Sequence, residues 1–322
     1  MEFTGFITEI CRKVRDRLGD GYDIDIQRIP KNNGLTLTGL SIRRKEQKLA
    51  LAVKLDPYFG RIGIGMTVEN AVDDIIRTYQ GSERPDLRTS DVLDFQRVKN
   101  KIACKLINAD ATRELLKIVP HINWLDFSIV FYMMLGQSES GQMTAMIYLE
   151  HMELWGKTAE ELCQIACKNM EHLLPLKIMT MTEVMKEMMQ KDLGEAFTEE
   201  LEEGLEDMGK IKPMYLLSNN VGLHGACYML PGLGIERFAE EIGQDLVVIP
   251  SSIHEILTVP YEAGMDLACM SCMVQSINRE NVPKEDWLSD RVYYYDRKEG
   301  MLMVSDYGEI QRKTARQEDG EA

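Results

Sequence analysis

The sequence predicts an α+β protein of two or three domains, with mixed or antiparallel sheets flanked by helices. Three observations carry this expectation. The length of 322 residues suits two or three domains at roughly 100–200 residues each. Several segments alternate apolar and polar side chains between turn residues, the signature of strands. Other segments space their apolar residues by three and four, as amphipathic helices do.

Positions 3–18 place Phe3, Phe6, Ile7, Ile10, Val14 and Leu18 on one helical stripe, which Gly19, Asp20 and Gly21 end. Next come "YDIDIQRI", "LTLTGLSIR" and "KLALAVKL", each alternating, with "PKNNG" as a turn between the first two. Three antiparallel strands are therefore expected after one helix. "MTVENAVDDIIRTYQ" resumes helical spacing through Val68, Ala71, Val72, Ile75 and Ile76, with Thr67 and Asn70 as an imperfect start signal. Polar residues and Pro85 in "GSERPDLRTSD" suggest a domain boundary near 85, and "QRVKNKIACKLIN" reads as a helix end or a strand. Two apolar runs, "FSIVFYMML" and "MTAMIYLEHMEL", flank the hairpin loop "GQSESG". In "KTAEELCQIACKNMEHLL", Thr158 and Glu161 form a capping box before a stripe of Leu162, Ile165, Ala166 and Met170.

The stretch 187–212 is dense in acid, with Leu193, Phe197, Leu201 and Leu205 as a thin stripe, and reads as an exposed helix or connector. Beyond it the order is strand "MYLLSN", turn "NNVG", strand "ACYML", helix "GIERFAEEIG" and strand "DLVVIP". A helix in "YEAGMDLACMSCMVQSINR" and a final pair, "DRVYYYDR" and "MLMVSD", complete the chain before a polar tail. The expected division is an N-terminal domain over 1–85, a central domain over 86–190, an acidic helix or linker over 191–211, a C-terminal domain over 212–310 and a tail over 311–322.

The apolar share of 44% and charged share of 28% are those of a soluble globular protein. No run approaches the roughly 18 apolar residues that cross a bilayer, so no membrane contact and a cytoplasmic location are expected. The seven cysteines, Cys11, Cys104, Cys163, Cys167, Cys227, Cys269 and Cys272, are odd in number and sit mostly in apolar periodic segments. Reduced thiols suit that pattern. A formal net charge of −15 disfavours direct attraction to nucleic acid, which works through clustered Lys and Arg.

The stretch "IPSSIHEI" brings Ser251, Ser252, His254 and Glu255 within five residues. If it is a strand, Ser252 and His254 share one face and Glu255 the other, and residues two apart stand roughly 6.5–7 Å from each other. A serine–histidine hydrogen bond needs roughly 3 Å, so a local triad is excluded. If it is a helix start, Ser252 and Glu255 make a capping box. No G-x-S-x-G elbow occurs. Should the protein be an enzyme, the catalytic candidates are His254, Glu255, Ser252 and His224, completed by residues from elsewhere in the chain.

Candidate binding residues come from loops that join an aromatic to a polar group. "PHINWLDF" supplies His121 and Trp124, "HMELWG" supplies His151 and Trp155, and "NNVGLHG" supplies Asn220 in a turn rich in Asn and Gly. In "DRVYYYDR", Val292 and Tyr294 face one way while Tyr293 and Tyr295 face the other, where their hydroxyls are expected to reach a surface. Cys269 and Cys272 in "CMSC" fall on the packed side of a helical pattern and are read as packing thiols. The five histidines include no H-E-x-x-H pair, and Gly60, Gly63 and Gly65 lack the spacing of a phosphate loop. Neither a metal nor a cofactor is expected.

The runs "HINWLDFSIVFYMML", "LEHMELWGKTAEEL", "MYLLSNNVGLHGACYMLPG", "VVIPSSIHEILTVP" and "LSDRVYYYDR" resemble a bacterial family of unknown function, DUF 5688, over about 90–300. The strand and helix order of the second half is also similar to another uncharacterised bacterial family, DUF 1444. The resemblance implies a cytoplasmic protein of anaerobic bacteria, often associated with mobile genetic elements, and brings no reaction, cofactor or catalytic residue with it. The expected function is that of a non-catalytic protein-binding or regulatory factor with an unidentified protein partner. Two alternatives stand beside it: a hydrolase-like enzyme or small-ligand binder with a pocket of inter-domain loops, and an acidic mimic of nucleic acid that inhibits a DNA-binding enzyme.

Overall fold

A computed structural model describes residues 1–45, 51–81, 93–138, 141–194 and 213–305, together with 198, 201, 202, 204, 205 and 207. The boundary expected near 85, most of the acidic connector and the tail over 311–322 lie outside the described residues. Among the described residues the architecture is α+β with three mostly antiparallel sheets. The helices are α1 (Phe3–Leu18), α2 (Asp56–Ile62), α3 (Val68–Gly81), α4 (Phe95–Val98), α5 (Arg113–Leu116), α6 (Leu149–Trp155), α7 (Ala159–Leu173), α8 (Met181–Leu193), α9 (Ile235–Ile242) and α10 (Leu267–Asn281). Two compact units divide the chain: unit 1 holds residues 1–103, 111–120 and 131–165, and unit 2 holds 104–110, 121–130 and 166–322.

Unit 1 opens as its periodicities require. Phe6, Ile10 and Val14 of α1 are buried, and Gly19 closes the helix at a φ of 76°. Strands β1 (Tyr22–Pro30), β2 (Thr36–Arg44) and β3 (Leu51–Lys54) follow as an antiparallel sheet in the order β1-β2-β3. The β1–β2 turn uses Asn33 and Gly34 at φ of 59° and 68°, the left-handed region that Asn and Gly tolerate best. Ala71, Val72, Ile75 and Tyr79 of α3 then join the α1 stripe and Ile24, Leu40, Ile42 and Val53 of the sheet in one core. The expected helix–strand–strand–strand–helix order holds because each stripe has a partner of matching period.

A second sheet pairs β4 (Ile102–Asn108), β6 (Phe127–Ser138) and β5 (His121–Trp124) in that order, with β7 (Gly141–Met146) on β6. "QRVKNKIACKLIN" thus resolves into α4, a short 3-10 turn and β4, all seven of whose residues are buried. The run "MTAMIYLEHMEL" is not one element. Its strand ends at Met146 and α6 begins at Leu149, a break that the unbroken apolar stretch from Ala145 to Leu149 conceals.

Unit 2 is built on a six-stranded sheet in the order β13-β12-β10-β11-β9-β8, from β8 (Leu176–Thr180), β9 (Tyr215–Asn219), β10 (Leu246–Ile249), β11 (Ile256–Pro260), β12 (Tyr293–Asp296) and β13 (Met301–Val304). Leu267 and Val274 of α10 cover one face, packed with Val247, Ile249, Val292 and Tyr294. Two elements differ from expectation. "ACYML" is a buried 3-10 turn, Gly225–Met229, rather than a strand, and "PSSIHE" is a loop between β10 and β11. For the loop a local bond contributes: Ser252 Oγ accepts the His254 N–H at 2.9 Å, a side-chain to backbone bond in place of a ladder bond.

Candidate functional site

The loop 250–255 is held on both sides by backbone hydrogen bonds. Ile253 N donates to Asp286 O at 2.8 Å, and Leu288 N and Ser289 N donate to Ser251 O and Pro250 O. On the other side, Gly225 N donates to His254 O at 2.8 Å and Ala226 N to Ile253 O at 3.2 Å. Ser218 Oγ adds a second donor to His254 O at 2.7 Å. The first pair of bonds is an isolated antiparallel bridge between Ser252 and Trp287, so the loop is tied to residues 286–289 on one side and to 225–226 on the other.

A turn from β9 delivers the second imidazole. Asn219 is buried, its Nδ2 donates to Leu223 O at 2.7 Å, and its Oδ1 accepts Val221 N and Leu223 N, so one side chain closes the turn. Gly222 at φ 62° and His224 at φ 55° then bend the chain back. The result stacks the His224 and His254 rings at 5.6 Å between centroids and 9° between planes. His254 Nε2 lies 3.1 Å from Asp286 Oδ1, and its Nδ1 accepts the His224 backbone N–H at 3.2 Å. A ring nitrogen that accepts carries no proton, so the proton of the neutral ring sits on Nε2, facing the carboxylate.

These bonds revise the pleat argument while keeping its result. Ser252 and His254 do meet, but through the serine hydroxyl and the histidine backbone, not the ring. The carboxylate beside the ring is Asp286, not Glu255, which is half-buried. Asp286 and Ser218 escaped sequence reasoning because they lie 32 and 36 residues from His254 and belong to no motif.

The remaining candidates are distributed. His121 and Trp124 are half-buried on β5, where the Trp124 ring lies 6.2 Å from Phe127, and Asn220 is exposed in the turn after β9. Tyr293 and Tyr295 are 0% and 3% exposed, which corrects the expectation that their hydroxyls reach a surface. Tyr293 instead donates to both oxygens of Asp126, at 2.6 and 2.8 Å. Burial, with the Asp126 charge behind it, pushes the Tyr293 hydroxyl far above its ordinary value, and burial pushes Tyr295 up to about 12. Alternation along the strand is as read: Val292 and Tyr294 join one core, with Tyr293 and Tyr295 out of phase.

In unit 1, the His151 and Trp155 rings lie tilted to each other at 5.6 Å between centroids on α6, and the Tyr148 ring lies 6.0 Å from that of His151. Trp155 Nε1 donates to Leu93 O at 3.2 Å, and His151 Nδ1 accepts the Tyr148 N–H at 3.0 Å, capping the helix. Burial holds this imidazole below its ordinary range, against a smaller opposing effect of the Glu150 carboxylate. A histidine whose folded-state pKa is depressed contributes stability that is complete above the unfolded value of about 6.5 and is lost as pH falls through the folded value. Urea midpoints measured from pH 7.5 to 5 should therefore fall more steeply for the wild type than for His151→Gln; parallel curves would rule this contribution out.

Among the described residues, no group of three or more His, Cys, Asp or Glu side chains is arranged to hold a metal ion, and no helix is long and apolar enough to cross a membrane. An open, charged depression of about 290 Å³ in unit 1 is lined by Arg15, Asp20, Asp23, Asp25 and Lys45.

Fold and site define an α+β protein with a histidine–carboxylate cluster at the loop ends of its largest sheet. The model of a family of unknown function, DUF5688, matches residues 3–297, and the chain belongs to that family. Comparison with curated proteins and with solved structures found no match.

Proposed function

We propose that the protein is a non-catalytic binding factor that works in the cytoplasm through contacts with another protein, with no direct role in nucleic-acid binding. One observation carries the reading: both ring nitrogens of His254 are engaged. A general base needs a free lone pair within about 3 Å of the proton it removes. The Nδ1 lone pair accepts the His224 N–H, and Nε2 faces Asp286. The Ser252 hydroxyl accepts a backbone N–H instead of meeting the ring. In this arrangement the cluster fastens three loops together, and loops on a rigid scaffold are where binding residues concentrate. A regulatory role, and a connection to mobile genetic elements, are the form of this function that the family resemblance favours.

A second reading, a small-ligand binder or hydrolase, draws on the convergence of two imidazoles and one carboxylate in the same loops. One experiment separates the two. The full chain is affinity-purified from its host, and bound proteins and bound small molecules are both identified. A protein partner retained in fixed stoichiometry by wild type, Ser252→Ala and His254→Gln alike supports the binding reading. A retained small molecule that wild type turns over and Ser252→Ala does not would overturn it.

A further inference from the structure

We propose that Cys269, Cys272 and Met273 on α10 form a binding site for a soft monovalent cation of the copper(I) and silver(I) class. The inference is independent of the function proposed above. It begins from a correction: the inward residues of α10 are Leu267, Val274 and Asn278, and both cysteines of "CMSC" are exposed, not packed. Met273 beside them is 54% exposed. Cys272 at i+3 and Met273 at i+4 both neighbour Cys269 on the helix surface, so Cys269 can share an ion with the second thiol and with the thioether.

Distance and ligand type then select the ion. Neighbouring Cβ atoms at this spacing stand about 5–6 Å apart. At a metal–sulfur distance of about 2.3 Å, one ion between two thiolates needs sulfurs about 4.6 Å apart, which side-chain rotation supplies on an unmoved helix. A disulfide needs Cβ atoms about 3.8 Å apart and would force the turn to tighten. Zinc is served poorly, because it takes four nitrogen, sulfur or oxygen ligands in a tetrahedron, and no cluster of three among the described residues offers them. Thiolate and thioether together are the donor set that favours copper(I).

The helix start is fixed by a side-chain cap. Asp266 Oδ1 accepts the Cys269 N–H at 2.9 Å, fixing the first turn. Binding is a proton exchange: one cation enters, two S–H bonds ionise, two metal–thiolate bonds and one metal–thioether bond form and two protons leave, with no change of oxidation state.

The test uses the full, reduced chain under anaerobic conditions, titrated with copper(I) against a chromogenic chelator, with silver(I) followed by native mass spectrometry. One tightly held ion is expected for the wild type. Cys269→Ser and Cys272→Ser should each weaken it at least tenfold, Met273→Leu by several-fold, and Cys163→Ser/Cys167→Ser should leave it unchanged. Far-UV circular dichroism checks that each exposed-site variant folds. The proposal is overturned if the wild type yields its ion fully to the chelator, or if Cys269→Ser/Cys272→Ser keeps the same stoichiometry and affinity.

Discussion

Gly225→Ala should lower the stability of unit 2 by about 3 kcal/mol, the upper end of what forced overpacking costs. A Cβ at this position would lie 2.4 Å from the His254 carbonyl oxygen, 2.6 Å from Ser218 Oγ and 2.7 Å from Ser218 Cα. Two of these atoms are backbone, so no rotamer change relieves the clash. The 250–255 loop would have to separate from the 3-10 turn, breaking the Gly225 N–H bond to His254 O with it. The measurement is the urea midpoint, read with the denaturant slope to confirm that the unfolded state is unaltered. A variant within about 0.5 kcal/mol of the wild type would show that the close approach is not a determinant of the fold. The same variant should disturb the His224–His254 stack, visible as a change in the imidazole proton resonances.

Tyr293→Phe should cost about 2 kcal/mol, within the range for hydrogen bonds to charged groups. The ring stays, packed 5.4 Å from Phe127, and only the hydroxyl goes. That hydroxyl sits in a chain that runs from the Arg291 N–H to Ser289 Oγ, on to Tyr293 and then to Asp126. Its loss leaves the Asp126 carboxylate without its shortest donor, and Arg291 Nη1 stands 3.9 Å away. A pH signature accompanies the mutation. A tyrosine whose folded-state pKa is raised contributes stability that is complete below the unfolded value of about 10 and is lost as pH rises. Wild-type stability should therefore decline above about pH 10, less steeply in Tyr293→Phe than in the parent. Equal alkaline slopes would argue against a buried, hydrogen-bonded Tyr293 hydroxyl.

Where a side chain's neighbours lie close in sequence, the chain by itself determined the outcome. The stripe Phe6, Ile10 and Val14, the three strands after it, and the capping box of Thr158 and Glu161 (Glu161 N to Thr158 Oγ1, 3.2 Å) follow from period and local hydrogen bonding alone. So do the pairing of β12 with β13 and the alternation of Val292 with Tyr293. Asn33 and Gly34 at the β1–β2 turn and Gly222 after β9 mark positive φ for the same local reason.

Only the tertiary structure decided the rest. "ACYML" has the composition of a strand, yet Gly225 and Ala226 give their N–H groups to the 250–255 loop, so no ladder is left for them. "CMSC" lies on a helix as read, but which face of that helix turns inward depends on where β10 and β12 stand. The candidate site shows the limit most plainly. His254 was visible in the sequence; its partners Asp286, His224 and Ser218 stand 30 or more residues away along the chain. A hydrogen bond acts over about 3 Å and is indifferent to sequence separation, and folding alone brings such partners together.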